Sequence, residues 1–318
     1  MAETGTDISK AKTLLEGDEL VAIPTETVYG LAANALHATA VTKIFQVKNR
    51  PKFDPLIVHI AHAGEINCYA RDIPTEAIKL ADHFWPGPLT LVLKKKDLIP
   101  DIVTAGLDTV GIRCPDHPLT AALLQGLGFP LAAPSANPFG YVSPTTASHV
   151  DEQLGNKIPY ILDGGNCAIG IESTIVGFEN DVPTIYRMGG VSAESIEAVI
   201  GEVKVLTNST SNPISPGQLK SHYAPGKKVI IGKIEELLQE YPAHCSGLLT
   251  FTKDFNSPYQ YILAPTHNSL EEAAQNLFAG LRFFDKVPVN VVLTELLPNE
   301  GLGRAINDRL LRAAALEI

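Results

Sequence analysis

The sequence predicts an α/β protein in two parts, a larger domain on a mixed sheet and a smaller Rossmann-like α/β domain after it. Three observations predict this. Apolar runs of strand length interleave with segments of helical spacing, and several runs are apolar throughout, as strands buried on both faces are. Runs with no helix between them, around Ser173–Met188, mark part of the sheet as antiparallel. From Thr207 to Gly217 the chain reads TNSTSNPISPG, with Ile214 its only aliphatic residue, which is linker chemistry. At 318 residues the chain is long for one domain, and the division falls at 1–206, 207–226 and 227–318.

Taken in order, Asp7 caps a helix whose apolar positions Ile8, Ala11, Leu14 and Leu15 share a face, and Gly17 ends it. Strands are expected at Leu20–Thr25, Leu56–Ile60, Thr90–Lys94, Val110–Cys114, Pro130–Pro134, Tyr160–Gly164, Ser173–Phe178 and Thr184–Met188. Helices are expected at Ala38–Val47, Thr75–Trp85, His117–Leu127, Thr145–Leu154 and Ser192–Ile200. Beyond the linker come KKVIIG, a helix at Ile234–Tyr241, and the strands SGLLTF and YQYILA. A long helix starts at Ser269, where Glu272 completes a capping-box pattern. Strand Val289–Thr294, a GLG turn and helix Arg304–Ala315 close the second unit.

Composition excludes several classes. A formal net charge of −10 disfavours broad, sequence-independent nucleic-acid binding, though not a local basic cleft. Cys68, Cys114, Cys167 and Cys245 lie far apart with no C-x-x-C pair, which argues against a zinc knuckle or disulfide framework and fits a reducing cytosol. The apolar runs are too short to span a bilayer, and the polar N-terminus lacks the apolar core of a secretory signal. There is no Walker loop, nucleophile elbow, H-E-x-x-H or dinucleotide fingerprint.

Four constellations carry chemistry, each beside a plainer reading. Lys43, Lys48, Arg50 and Lys52 crowd ahead of the strand LIVHI; cations at a helix end relieve the macrodipole, but four beside a buried strand suggest a phosphate clamp. PTETVYG, Pro24–Gly30, is either a turn with an incidental glutamate or the rim of a crevice. APSANPFGYVSP, Ala133–Pro144, offers Ser135, Asn137 and Ser143 as short donors, or simply as turn and cap residues. Arg113 inside the strand VGIRC needs a specific acid to hold, and Arg187 in TIYRMGG invites the same argument. Asp163 reads as a turn residue or a helper for a metal, His59 as a satisfied core histidine, Trp85 as a packing aromatic, and GLGRAI as a helix-start turn or a weak phosphate nest.

The order of these pieces decides what each alone leaves open. PTETVYGLAANA, K-x-R with DPLIVHI, FWPGPLTLVL, AGLDTVGIRCPDHP, APSAN, S-P-T, DGG, ESTIV and R-x-G resemble the YrdC/TsaC domain of threonylcarbamoyl-AMP synthases over about residues 8–205. SPGQLKSHYAP and GLGRAINDRLLRAA resemble the linker and C-terminal signature of that family's long, two-domain form. The resemblance implies a YrdC-like twisted mixed sheet with flanking helices. It also implies a cytoplasmic nucleotidyltransferase that joins L-threonine, bicarbonate and Mg²⁺-bound ATP into threonylcarbamoyl-AMP and pyrophosphate. A downstream transferase machinery then uses the product to modify tRNA, with direct tRNA binding left open.

By the same resemblance Lys48 and Arg50, the catalytic pair, would hold ATP with Asp54, Thr109, Ser135, Asn137, Ser143, Arg187 and Tyr223. Thr25, His59, Arg113, Ala133 and Ser173 would hold threonine, and His222 or Tyr223 in the linker would close over the cleft. Asp54 stands where many relatives carry asparagine, which places an acid beside the clamp. The competing readings are a double-stranded RNA-binding module and a carbamoyl-transfer enzyme of hydrogenase maturation. The latter's acylphosphatase-like segment and cysteine-rich zinc motifs are missing from this sequence.

Overall fold

The computed structural model describes residues 1–179, 182–206 and 223–315. Much of the expected linker, His222 included, therefore lies outside the described residues. The chain opens with β1 (Glu3–Gly5), α1 (Ile8–Glu16), β2 (Val21–Ile23) and β3 (Gly30–Asn34). Asp7 caps α1 as expected, its carboxylate accepting from Lys10 N at 3.1 Å. Next come α2 (Ala38–Lys48), β4 (Ile57–His59), α3 (Ile66–Tyr69), α4 (Thr75–Phe84), β5 (Leu89–Lys94) and α5 (Asp101–Thr104). β6 (Thr109–Arg113), α6 (Pro118–Gly126), β7 (Leu131–Ala132), α7 (Ala147–Leu154) and β8 (Tyr160–Leu162) follow. The unit ends with β9 (Thr174–Glu179), β10 (Val182–Arg187), α8 (Ala193–Ile200) and β11 (Lys204–Val205).

Among the described residues these strands make one eleven-stranded mixed sheet, ordered β1-β8-β2-β3-β7-β4-β6-β5-β9-β10-β11. The antiparallel β9–β10 pair, Thr184 opposite Gly177, is the one the uninterrupted strands predict. Strand β3 was not expected, because GLAAN carries no β-branched or aromatic residue. It runs antiparallel to β2, Ala22 opposite Leu31, so PTETVYG is a chain reversal between two paired strands. The sheet is covered by a continuous core that includes Ile44 and Phe45 of α2, Leu80 of α4, Val58, Leu91 and Ile112.

A second, all-parallel sheet, as a Rossmann-like unit requires, is built from β12 (Lys228–Ile231), β13 (Ser246–Thr250), β14 (Gln260–Ile262) and β15 (Val291–Thr294) in the order β12-β15-β13-β14. Its helices are α9 (Ile234–Glu240), α10 (Leu270–Phe283) and α11 (Leu302–Ala314). Ser269 caps α10 by accepting from Glu272 N at 3.1 Å, but the capping box is half formed. The Glu272 carboxylate accepts instead from the backbone N–H groups of Thr266 and His267. The two glycines of GLGRAI differ: Gly301 takes a positive φ of 48°, whereas Gly303 serves packing, since a Cβ there would stand 1.9 Å from the Pro298 carbonyl oxygen.

The two sheets share buried surface. Val28, Val142, Ile171 and Tyr223 pack in one cluster with Phe278, Leu281 and Leu310. Arg282 of α10 donates to the Val142 carbonyl at 2.5 Å and to Gln153 Oε1 at 2.9 Å. Among the described residues no helix is long and apolar enough to cross a membrane.

Candidate active site

A cavity opens where β4, β6 and the segments leading into β9 and out of β10 meet the Ala133–Pro144 loop. It is lined by Thr27, Val28, Arg50, Ile57, His59, Arg113, Ala133, Pro134, Ser135, Glu172, Ser173, Arg187 and Tyr223. Three arginines against one glutamate make its wall strongly cationic, in a chain that is acidic overall.

Each arginine is held by its backbone surroundings. Arg50 follows α2, where Asn49 adopts the left-handed conformation that ends a helix. Its Nε donates to the Asp54 carbonyl at 3.2 Å, its Nη2 donates to the Pro55 carbonyl at 2.9 Å, and its guanidinium lies 5.9 Å from the Phe139 ring centre. Arg187 ends β10 and donates through Nε and Nη2 to the Ser173 carbonyl, and through Nη2 to Ser173 Oγ at 3.1 Å. Arg113 ends β6 and donates from Nε to the Gly87 carbonyl at 3.3 Å.

The acid that Arg113 needs is Glu26, with Oε1 2.6 Å from Arg113 Nη2 and both residues buried. The other Glu26 oxygen accepts from Asp116 N at 3.1 Å. The contact is short but misaligned, so Arg113 Nη2 and Glu26 Oε1 are buried without a hydrogen-bond partner among the described residues. Both Asp54 carboxylate oxygens and Asn137 Oδ1 are in the same condition, although Asp54 Oδ2 stands 2.9 Å from Arg50 Nη2. Orphaned buried polar atoms are rare in folded proteins; of those among the described residues, one belongs to the cavity-lining Arg113, while those of His117, Asp151, Ser246 and Ser257 lie elsewhere.

Burial depresses the Arg50 and Arg187 guanidinium pKa values, and Asp54 works against this at Arg50. The Asp54 carboxyl is pushed up by burial, with Arg50 and Lys48 opposing. His59 Nδ1 donates to the Ile57 carbonyl at 3.2 Å, which leaves Nε2 as the ring's acceptor. Burial and the Arg113 charge lower its pKa to about 3, so the imidazole is neutral at physiological pH. It is therefore both a satisfied buried histidine and part of the cavity wall.

The structure brings Arg50, His59, Arg113, Ala133, Ser135, Ser173, Arg187 and Tyr223 to the cavity, and leaves the other expected residues behind it or beside it. Lys48 is not at the surface of a clamp. It is 1% exposed, and its Nζ donates to the carbonyls of Ser135 and Asn137 at 2.5 Å, holding that loop from beneath. Burial drives its pKa well below the usual lysine range, with Arg50 adding to the effect. Nor do the four cations converge. Lys43 lies five residues before Lys48 on a helix, hence about 140° around it. It pairs with Glu19 outside at 2.7 Å, and Lys52 is exposed.

Thr25 closes the chain reversal, accepting from Val28 N at 3.2 Å and donating to the Val28 carbonyl at 2.6 Å, so Thr27 and Val28 face the cavity in its place. Asn137 Nδ2 donates to the Pro138 and Tyr141 carbonyls, fixing its own loop. Ser143 Oγ donates to Glu172 Oε1 at 2.6 Å. Thr109 belongs to a neighbouring pocket, with Pro55, Thr90 and Gly111, which shares Ile57 with the cavity. Asp163 is a turn residue, its Oδ1 accepting from Gly165 N at 2.9 Å.

Sequence reasoning missed Glu172 and Arg309, and of the two PTETVYG threonines it singled out Thr25 where Thr27 lines the cavity. The signal for Arg309 was present, since Ile306, Arg309, Leu310 and Ala313 fall on one helical face and put an arginine in an apolar stripe.

Residues 13–189 match the family profile described as telomere recombination, and residues 191–315 match that of the threonylcarbamoyl-AMP synthase C-terminal domain. A threonylcarbamoyl-AMP synthase from Bacillus subtilis (strain 168) is 44% identical over 96% of this chain and 92% of its own length. This chain belongs to the threonylcarbamoyl-AMP synthase family. A second family member, from Pyrococcus abyssi, is 42% identical over 94% of this chain and 92% of its own. The crystal structure of P. abyssi Sua5 complexed with L-threonine superposes with a TM-score of 0.92 at 39% identity, covering 99% of this chain and 97% of that one.

Proposed function

We propose that the cavity is where this chain, as a member of its family, makes threonylcarbamoyl-AMP and pyrophosphate from L-threonine, bicarbonate and ATP. The observation that carries the assignment is the buried Arg113 guanidinium at the wall of a cavity lined by two further arginines, with Glu26 2.6 Å from its Nη2 but not aligned to accept from it. A carboxylate satisfies such a guanidinium by a charge-assisted hydrogen bond. Threonine therefore docks against Arg113, with Thr27, His59, Ala133 and Ser173 around it. The triphosphate lies across Arg50 and Arg187 with Ser135 beside it, and Tyr223 lines the same wall. Lys48, Asn137 and Ser143 support the walls from behind, and the pocket holding Thr109 extends the site beyond Ile57.

As a nucleotidyltransferase reaction, the threonine amine condenses with bicarbonate to a carbamate, losing water. A carbamate oxygen then forms a bond to the α-phosphorus as the bond to pyrophosphate breaks. The chain's residues supply orientation and charge. Holding the reactants in line lowers the barrier by several kcal/mol, and each donor on the developing negative charge contributes roughly 3 kcal/mol. A conjugate acid with a pKa of about 3 does not retain a proton at neutral pH, so His59 orients a donor through Nε2 rather than removing a proton from the ammonium.

Among the described residues no three His, Cys, Asp or Glu side chains assemble as a metal site, and Glu172 has both oxygens engaged by Ser143 and Arg309. The donors present fit Mg²⁺ carried on the phosphates with its water rather than caged by protein. When bound there it would offset charge on the phosphate oxygens. The reactive mixed anhydride is passed to a threonylcarbamoyl transferase that modifies tRNA, in the cytosol that the unpaired cysteines suit. The assay is pyrophosphate release from Mg·ATP by the full chain. Release that needs both threonine and bicarbonate supports the proposal. Release with ATP alone, or turnover of carbamoyl phosphate in place of threonine, rejects it.

A further inference from the structure

We propose that Arg309, on helix α11 of the second domain, is a positioning residue of the active site, acting through Glu172 on the ATP-binding wall. Arg309 is fully buried, the largest such side chain among the described residues. Its Nε and Nη2 donate to Glu172 Oε2 at 3.2 and 3.1 Å, and its Nη1 donates to the Met188 carbonyl at 2.5 Å and the Ala305 carbonyl at 3.3 Å. Its guanidinium lies 5.4 Å from the centre of the Tyr223 ring. Glu172 itself lines the cavity, and its other oxygen accepts from Ser143 Oγ.

One guanidinium therefore ties together the two segments that deliver Ser173 and Arg187. Glu172 precedes Ser173, and Met188 follows Arg187. The two segments are already pressed together, with Gly190 N donating to the Glu172 carbonyl at 3.0 Å and no room for a Cβ on Gly189, which would meet that carbonyl oxygen at 2.2 Å. The planar fork puts two donors on the carboxylate and a third on the Met188 carbonyl, a fixed spread that the single nitrogen of a lysine does not reproduce.

A buried ion pair is not in itself a stabilising choice over apolar packing, so its place against the cavity suggests a role in the site. Glu172 and Arg309 both lie within electrostatic range of Arg187. With Arg309 gone, the Glu172 carboxylate is left beside Arg187 without its cation and competes with the phosphate that Arg187 attracts. The second domain would thus complete the first domain's active site. This role depends on ATP lying against Arg187, as proposed above.

The test is the KM for ATP and for threonine, from pyrophosphate release by the full chain, in Arg309→Met, Arg309→Lys and Arg309→Met/Glu172→Gln. Arg309→Met is expected to raise the KM for ATP at least tenfold and to leave that for threonine within twofold. Removing the stranded charge in the double variant should recover at least threefold of the loss. A purely structural role predicts loss of kcat alone, equal rises in both KM values, or a double variant no better than the single one; any of these overturns the proposal. If Arg309→Met fails to give a cooperative melt, Arg309→Lys decides: a threefold or larger rise in the KM for ATP alone supports the role, and a native value overturns it. Native protein that releases no pyrophosphate with all three substrates would instead remove the ATP assignment on which the role stands.

Discussion

Replacing Arg113 by methionine separates what this side chain does for binding from what it does for folding. Arg113 is 4% exposed, and its guanidinium stands 2.6 Å from Glu26 Oε1, itself in a residue 6% exposed. Losing the cation leaves Glu26 as an uncompensated buried charge, which costs about 3–5 kcal/mol of stability. Losing the charge-assisted bond to the threonine carboxylate costs about 1.5–3 kcal/mol of binding, or roughly 10- to 150-fold in affinity. The second substitution Glu26→Gln removes the stranded charge, and the amide oxygen can still accept from Asp116 N, which now donates to Glu26 at 3.1 Å. Arg113→Met should therefore melt far below the native protein, and Arg113→Met/Glu26→Gln should recover much of that loss while binding threonine as poorly as the single variant. Calorimetric titration with threonine, beside thermal melts, reads both quantities. A double variant that binds threonine within threefold of native protein would refute the placement of threonine on Arg113.

Two more outcomes follow from buried groups. Lys48→Met removes the two hydrogen bonds that hold the Ser135 and Asn137 carbonyls, each worth about 0.5–1.5 kcal/mol. It should weaken ATP binding measured by calorimetry through displacement of that loop, and a native ATP affinity would show that the loop does not need it. His59 has a folded pKa of about 3 against about 6.5 when unfolded, so between these values the unfolded chain binds a proton that the folded one does not. Its contribution is fully present above the unfolded value and is lost as pH falls, by about 2 kcal/mol at pH 5. Denaturant melts of His59→Asn should show a smaller loss of stability between pH 7 and pH 5 than the native protein, and equal losses would contradict the burial of a neutral imidazole.

Most of the architecture was legible because it rests on local pattern. The alternation of apolar runs and helical faces gave most of the longer strands and helices, and the Asp7 and Ser269 caps mark helix starts that the structure keeps. What escaped was set by pairing across the sheet. GLAAN at Gly30–Asn34 is a strand because Val21–Ile23 lies beside it, and nothing in its own residues favours that state. In the site, residue type was legible and direction was not. Arg113 announced a partner, and Glu26, the third residue of the connector between β2 and β3, supplied it from a different strand pair. Lys48 and Arg50 are two positions apart, yet the helix ends between them, so one amine turns under the loop while one guanidinium faces the cavity. Glu172 and Arg309 come from different domains and are joined only by tertiary structure.

The most direct test is a crystal structure of this chain with threonine and a non-hydrolysable ATP analogue bound together. The account predicts the threonine carboxylate within hydrogen-bond distance of Arg113 and the triphosphate between Arg50 and Arg187, with the amine facing the α-phosphate. A nucleotide seated elsewhere, or a threonine whose carboxylate points away from Arg113, would contradict it.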